Sequence, residues 1–169
     1  MRVGLAVAAL VFGSCGYHVA GHADLVPKNV KTICIPAFGN VTTRYKLTDR
    51  LPEAISREFI TRTRYRIVPD PNKADAILRG AVVNYISYPT IFDPVTGRAA
   101  AVQMHVTMQI SLVDRASGNV IFNRPNMEVR ERYEISVEAA KYFEESDAAL
   151  KRVSQQVARQ VVTAILENF

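Results

Sequence analysis

The most constraining feature of the sequence is an alternating segment between Val102 and Leu112. Apolar and polar residues exchange places there at every step: Val102, Met104, Val106, Met108, Ile110 and Leu112 alternate with Gln103, His105, Thr107, Gln109 and Ser111. Successive side chains of a β-strand point to opposite faces, so this period predicts a strand with one buried and one polar face. The polar face, or the edges of the sheet, would be where a partner docks.

Further strands are predicted on both sides of this segment. Ala76 to Tyr88 is rich in Ile, Val and Tyr and is bounded by Pro89, and Gly80 indicates a bulge or bend within it. A turn at 93–98 then leads into the alternating strand.

After the alternating strand, residues 115–119 form a hairpin connection. A strand from Val120 to about Tyr133 follows, in which Pro125 indicates an edge or a bulge. Earlier in the chain, short strands are predicted at 30–35 and 65–68, separated by a loop at 38–40 and a helix.

That helix is predicted from Thr48 to Thr63, with Thr48 as its N-cap and Pro52 in its first turn. Its apolar residues recur every four positions on one face: Leu47, Leu51, Ile55 and Phe59. A last helix is predicted from Ser146 to Asn168, with Ser146 as its N-cap. The order strand, helix, strands, helix predicts an α+β fold, a largely antiparallel β-sheet with two helices packed on one face.

The amino terminus is typical of an export signal. Arg2 precedes an uncharged run from Val3 to Phe12, and about ten helical residues rise roughly 15 Å, half of what a bilayer core requires. Gly13 and Ser14 then lead into Cys15. We expect a lipoprotein signal at 1–14, a lipidated Cys15 beginning a tether at 15–29, and a single domain at 30–169. The alternative is an ordinary signal peptide that leaves Cys15 as a free thiol.

The composition excludes several functions. The formal net charge of +5 is mildly basic and favours an anionic partner, and an exported protein rarely meets nucleic acid, so a lipid or protein partner is expected. Cys34 lies between two isoleucines and is predicted to be a small buried hydrophobe. The three histidines, His18, His22 and His105, suggest no metal site. Without a phosphate loop or nucleophile elbow, the sequence predicts a non-enzymatic protein that needs no cofactor.

The assembled pattern resembles the lipopolysaccharide-assembly lipoprotein family LptE. The resemblance is carried by Cys15-Gly16-Tyr17-His18, by the Val26-Pro27 and Val30-Lys31 run into the first strand, and by the order of elements. Two positions depart from the usual lipoprotein box, since Phe12 and Gly13 stand where Leu and then Ala or Ser are common.

The resemblance implies a function and two partners. Members of this family plug and help to assemble the outer-membrane β-barrel LptD, and they bind lipopolysaccharide on its way to the cell surface. It also implies an outer-membrane lipoprotein held at the periplasmic face by its lipid. Two lipopolysaccharide-binding bases are carried over: Arg98, in the turn at 93–98, and Lys141, before the last helix. The alternative for each is an ordinary solvated surface base.

Two other functions remain open from the sequence alone. A structural lipoprotein of a secretion channel, which self-assembles into a ring, would fit the hairpin at 114–122 equally well. A periplasmic enzyme with dispersed catalytic groups would require a deep pocket with perturbed titratable residues.

Overall fold

The computed structural model describes residues 26–43, 45–134 and 142–167, with the backbone alone at 142–146. Six strands and two helices follow one another in this part of the chain. They are β1 (Thr32–Cys34), β2 (Gly39–Asn40), α1 (Tyr45–Arg62), β3 (Arg66–Ile67), β4 (Ala76–Phe92), β5 (Ala99–Asp114), β6 (Val120–Glu134) and α2 (Tyr142–Glu167). The α+β prediction is confirmed.

The strands form one mixed sheet in the order β3-β1-β4-β5-β6. The long strands β4, β5 and β6 are antiparallel neighbours, as predicted. The short amino-terminal strands add a parallel block, because β1 pairs with β3 and with β4, and β2 pairs with β4 farther along the same edge. β1, α1 and β3 therefore form a βαβ unit, in which a helix connects two parallel strands.

The alternating face of β5 is confirmed as the centre of the core. All six of its apolar residues are buried, from Val102 to Leu112, whereas none of the five alternating polar residues is. Opposite them, on the same face, pack residues of β4 such as Leu78 and Val82. The apolar stripes of both helices join the same cluster. The sheet therefore has one face covered by helices and one open face.

The two helices run in the same direction across that face. Arg50, near the start of α1, forms an ion pair with Asp147, near the start of α2. Arg62, at the end of α1, donates to the Thr163 hydroxyl near the end of α2 at 2.7 Å. Contacts at both ends hold the helices side by side, with a groove between them on the side away from the sheet.

The first helix begins earlier than predicted, at Tyr45 instead of Thr48. The extra turn completes the burial of Leu47, whose side chain is fully covered. Thr48 is therefore not an N-cap: its hydroxyl is buried and has no hydrogen-bond partner among the described residues. Pro52 lies in the helix interior and not in the first turn, so the helix loses one backbone hydrogen bond there.

Three details of β4 also differ from prediction. The strand does not end at Pro89 but continues to Phe92. Beyond Val82 no described strand pairs with its outer edge, so the missing N–H of Pro89 costs no ladder bond there. The register of β4 against β5 shifts between Val82 and Asn84 and again on both sides of Ile91, but not at Gly80, which stays in register with Ile110.

The structure also tests four smaller predictions. Residues 38–40, predicted as a loop, contain the short strand β2. The last helix begins at Tyr142, so Ser146 lies inside it and is not its N-cap. The prediction for Pro125 is confirmed, because β6 is an edge strand whose register shifts between Arg124 and Met127. Val26, within the predicted tether, is buried in the core.

Asp75 fastens the first strand to the start of β4. Its carboxylate accepts hydrogen bonds of 2.9 Å from the amides of Lys31 and Thr32 and from the Thr32 hydroxyl. The Asp75 amide in turn donates to the Thr32 hydroxyl at 2.9 Å. The Lys31 amide, and after it the Thr32 hydroxyl, hold the pKa of Asp75 below its ordinary value, because these donors stabilise the ionised carboxylate.

We predict that Gly80→Ala destabilises the protein by about 1–3 kcal/mol, because the added methyl overpacks the core. A Cβ at position 80 would lie 2.6 Å from two ring atoms of Phe38, which is itself buried. Urea denaturation measures the loss. The matched test is Gly80→Ala combined with Phe38→Leu, whose combined cost should be smaller than the sum of the two single costs. Strictly additive losses of unfolding free energy would contradict a contact between a side chain at position 80 and the Phe38 ring.

We predict that Asp75→Asn lowers the free energy of unfolding at pH 7 by about 1–2 kcal/mol, the range for charged hydrogen bonds that are partly open to solvent. Since folding lowers the pKa, the native carboxylate contributes fully above the unfolded-state pKa of about 4. That contribution is lost as the pH falls through the lower folded-state pKa.

The difference between wild type and variant should therefore narrow under acid, which denaturation curves at a series of pH values measure. Asp49→Asn, an exposed residue on α1, is the control and should show no such trend. A difference in the free energy of unfolding that stays constant down to the lowest pH would contradict the stabilising role of the Asp75 carboxylate.

Candidate functional site

The β4–β5 hairpin carries an unusual concentration of exposed apolar side chains at its far end. We call this the apolar strip: Ile86, Tyr88, Ile91, Phe92 and Val95. Phe92 is 58 % exposed and Val95, in the turn itself, is 90 % exposed. Single exposed apolar residues are ordinary, but a contiguous group marks a binding surface.

The register explains why the strip is open to solvent. Ile86 and Tyr88 lie opposite His105 and Gln103, on the face of the sheet that the helices do not cover. Ile91, after an extra residue in β4, lies opposite Ala101 on that same open face. Two contacts fix Tyr88 in place: its hydroxyl is 3.0 Å from His105 Nε2, and the two ring centroids are 5.4 Å apart. The strip therefore lies along the part of β4 that pairs with β5 alone among the described strands, with a register shift on each side of Ile91.

The turn at the tip is held by Asp93. One carboxylate oxygen accepts from the Val95 amide at 2.9 Å, from the Thr96 amide at 2.6 Å and from the Thr96 hydroxyl at 2.9 Å. The amide and then the hydroxyl of Thr96 hold the pKa of Asp93 below its ordinary value. Gly97 follows with a φ of 67°, a conformation that side chains disfavour. The turn is thus a defined structure that presents Arg98 at a fixed place.

Arg98 lies where the sequence placed it, at the end of this turn. Its side chain is exposed and forms no ion pair with a described residue, while its carbonyl accepts from the Asp93 amide at 2.8 Å. Arg98 therefore supplies an unneutralised cation beside an apolar surface. Cys15 and Lys141, the other two residues singled out in the sequence, lie outside the described residues.

The apolar strip was not predicted from the sequence. Ile86 and Tyr88 were assigned to a strand and Val95 to a turn, whereas Ile91 and Phe92 were assigned to neither, and nothing local distinguishes an exposed strand residue from a buried one. The turn, however, has a readable signal, because Asp93-Pro-Val-Thr-Gly is echoed by Asp114-Arg-Ala-Ser-Gly in the next hairpin. Asp114 likewise accepts from the amide and hydroxyl of Ser117, and Gly118 has a φ of 73°.

The described residues offer little for catalysis or metal binding. Among them there is no cluster of histidine, cysteine and acidic side chains that could hold a metal ion. Cys34 is buried, as predicted, and burial raises the pKa of its thiol, followed by the negative charge of Asp70. A protonated, covered thiol is a poor nucleophile. Neither described helix is long and apolar enough to cross a membrane.

Comparison with known protein families shows which family the chain belongs to. The model of the family described as "LptE: Lipopolysaccharide-assembly" matches residues 30–165. The chain belongs to this family. A search of curated proteins found no match. The LptE family is a non-catalytic lipoprotein family, which agrees with the chemistry of the described residues.

Solved structures share the fold at low sequence identity. A lipoprotein from Caulobacter crescentus CB15 is 14 % identical, with a TM-score of 0.55, covering 78 % of this chain and 87 % of that one. An uncharacterized lipoprotein B from Nitrosomonas europaea is 14 % identical, with a TM-score of 0.55, covering 89 % and 90 %. A PelC dodecamer from Paraburkholderia phytofirmans is 16 % identical, with a TM-score of 0.52, covering 81 % and 88 %. These likenesses establish the LptE-like fold and no more.

We predict that Asp93→Ala loosens the tip of the hairpin, because three hydrogen bonds to one carboxylate oxygen are removed. Hydrogen exchange at the amides of Val95 and Thr96 should accelerate at least tenfold, while the global free energy of unfolding changes little, because the turn can open without unfolding the core. Asp114→Ala, in the matching turn of the next hairpin, is the control and should leave exchange at Val95 and Thr96 unchanged. Unaltered exchange in the Asp93 variant would show that the turn holds its shape without the carboxylate.

Proposed function

We propose that this LptE-family protein binds lipopolysaccharide through the end of the β4–β5 hairpin and acts without catalysis in its transport to the cell surface. The observation that carries the proposal is the exposed apolar strip with the unpaired Arg98 beside it. Family membership supports the assignment to lipopolysaccharide assembly.

The chemistry of the hairpin end matches an anionic glycolipid. Lipopolysaccharide presents acyl chains next to phosphorylated sugars, so its binding site needs apolar area and a cation within reach of each other. Phe92 and Val95 offer the apolar area, and a guanidinium such as that of Arg98 forms strong charge-assisted hydrogen bonds with phosphate. Lys141, outside the described residues, is proposed as a second lipopolysaccharide-binding base.

We assign the outer-membrane β-barrel LptD as the protein partner, with this protein as its plug. Two features support a contact between this side of the domain and the inner wall of the barrel. The outer edge of β4 is unpaired by described strands beyond Val82, so its backbone groups are available to another chain. The neighbouring apolar strip offers side-chain contacts along the same element.

The amino-terminal segments complete the proposal. Residues 1–14 are the lipoprotein signal, Cys15 is the lipidated residue, 15–29 link the anchor to the domain, with Val26 already packed in its core, and 30–169 form the rest of that domain. Multiple acyl chains hold a protein stably at a membrane, whereas one holds only marginally. The protein would therefore remain at the periplasmic face of the outer membrane.

Arg98→Glu should weaken lipopolysaccharide binding at least tenfold, because a charge-assisted contact worth roughly 1.5–3 kcal/mol is replaced by repulsion. The measurement is displacement of a fluorescent lipopolysaccharide from the purified lipoprotein at fixed ionic strength. Lys141→Glu should act in the same direction.

Arg79→Glu is the matched control, since Arg79 is also an exposed base but lies in β4, far from the hairpin end. It should bind like the wild type. An equal loss of lipopolysaccharide affinity in both variants would show that the effect comes from net charge alone. Unchanged affinity in Arg98→Glu would show that Arg98 does not contact the ligand.

A structural lipoprotein of a secretion channel, assembled as a ring, is the second candidate. The observation favouring it is the shared fold with PelC, whose solved structure is a dodecamer. Native mass spectrometry of the purified lipoprotein separates the two candidates. A ring of many copies that is indifferent to lipopolysaccharide would favour the second, and a monomer or a complex with one barrel would favour the first.

A further inference from the structure

A groove between the two helices, on the side away from the sheet, is a concave feature of the described residues that the proposed function leaves unused. Its volume is about 570 Å³. The small residues Ala54, Ser154 and Ala158 form its floor, and long polar and charged side chains form its rims. A volume of this size is typical of sites for small ligands.

Some of the charged side chains along the groove form ion pairs and others do not. On the α1 side, Arg50 pairs with Asp147, Arg57 pairs with Glu53, and Glu58, which also lines the groove, pairs with Arg62. On the α2 side, Lys151 and Arg159 are exposed and form no ion pair with a described residue. The groove therefore holds two uncompensated cations on one rim, with Gln155 halfway between them.

The spacing of these two cations limits what they can bind together. Lys151 and Arg159 are eight positions apart on α2, which at 1.5 Å per residue places them about 12 Å apart along the helix axis. A single small anion cannot bridge that separation, whereas an elongated ligand with an anion at each end can. A disaccharide phosphorylated at both ends has that form, and the Gln155 amide lies where it could bond to the sugar hydroxyls.

We infer that the groove binds the bis-phosphorylated disaccharide head of a glycolipid, with Lys151 and Arg159 each contacting one phosphate. The inference rests on the proposed function and adds to it a second contact surface, separate from the hairpin end. The groove lies on the helix side of the sheet and the apolar strip lies on its open face, so the two surfaces would hold different parts of the ligand or successive ligands.

The test uses the purified lipoprotein in a non-ionic detergent and a bis-phosphorylated glucosamine disaccharide without acyl chains. Isothermal titration should show that Lys151→Glu combined with Arg159→Glu weakens binding at least tenfold. The matched control is Arg79→Glu combined with Arg132→Glu, which alters the net charge equally but changes exposed bases on β4 and β6.

Each outcome bears on a separate claim. Binding of the disaccharide that survives the Lys151 and Arg159 reversal, or that inorganic phosphate displaces at equal concentration, would overturn the two-point site. A wild type that binds intact lipopolysaccharide but not the disaccharide would also overturn it, leaving the proposed function in place. Failure to bind either ligand would remove both. Lys151→Gln with Arg159→Gln replaces the charge reversal if that variant does not fold.

Discussion

The one-sided burial of β5 is the constraint on which the rest of the structure depends. Its six buried side chains face the helices, and its two neighbours are paired along nearly their whole lengths. A slip of one residue in either pairing would turn every apolar side chain of the slipped strand to solvent. The register therefore decides which residues of β4 and β6 face the core and which form the open face. It also decides that Ile86, Tyr88 and Ile91 lie on the open face.

Sequence periodicity was sufficient for the elements with one clear face. β5, the hairpin turns and the apolar stripes of both helices follow from patterns within a few residues of each position. The helix starts did not follow, because the burial of Leu47 by the sheet outweighed the capping preference of Thr48. Gly80 was placed correctly as a special position but for the wrong reason, since the cause is the ring of Phe38, which comes from a separate segment.

The functional surfaces likewise differ in whether they could be predicted from the sequence. Arg98 could be named from the sequence because it is the base of a recognisable turn. The apolar strip could not, because its exposure depends on where the helices stop covering the sheet. The groove cations could not be recognised either, since their importance comes from ion pairs that neutralise Arg50 and Arg57 on the facing helix but leave Lys151 and Arg159 free of described partners. A hairpin end and a helix groove on opposite faces suit a protein that passes a large amphipathic molecule along.

The most direct test of the central claim is an affinity pull-down of the full-length lipoprotein from detergent-solubilised outer membranes, with bound proteins and lipids identified by mass. We expect recovery of one large β-barrel protein at about one to one, together with lipopolysaccharide. Recovery of the lipoprotein alone, as a ring of its own copies without lipopolysaccharide, would contradict it.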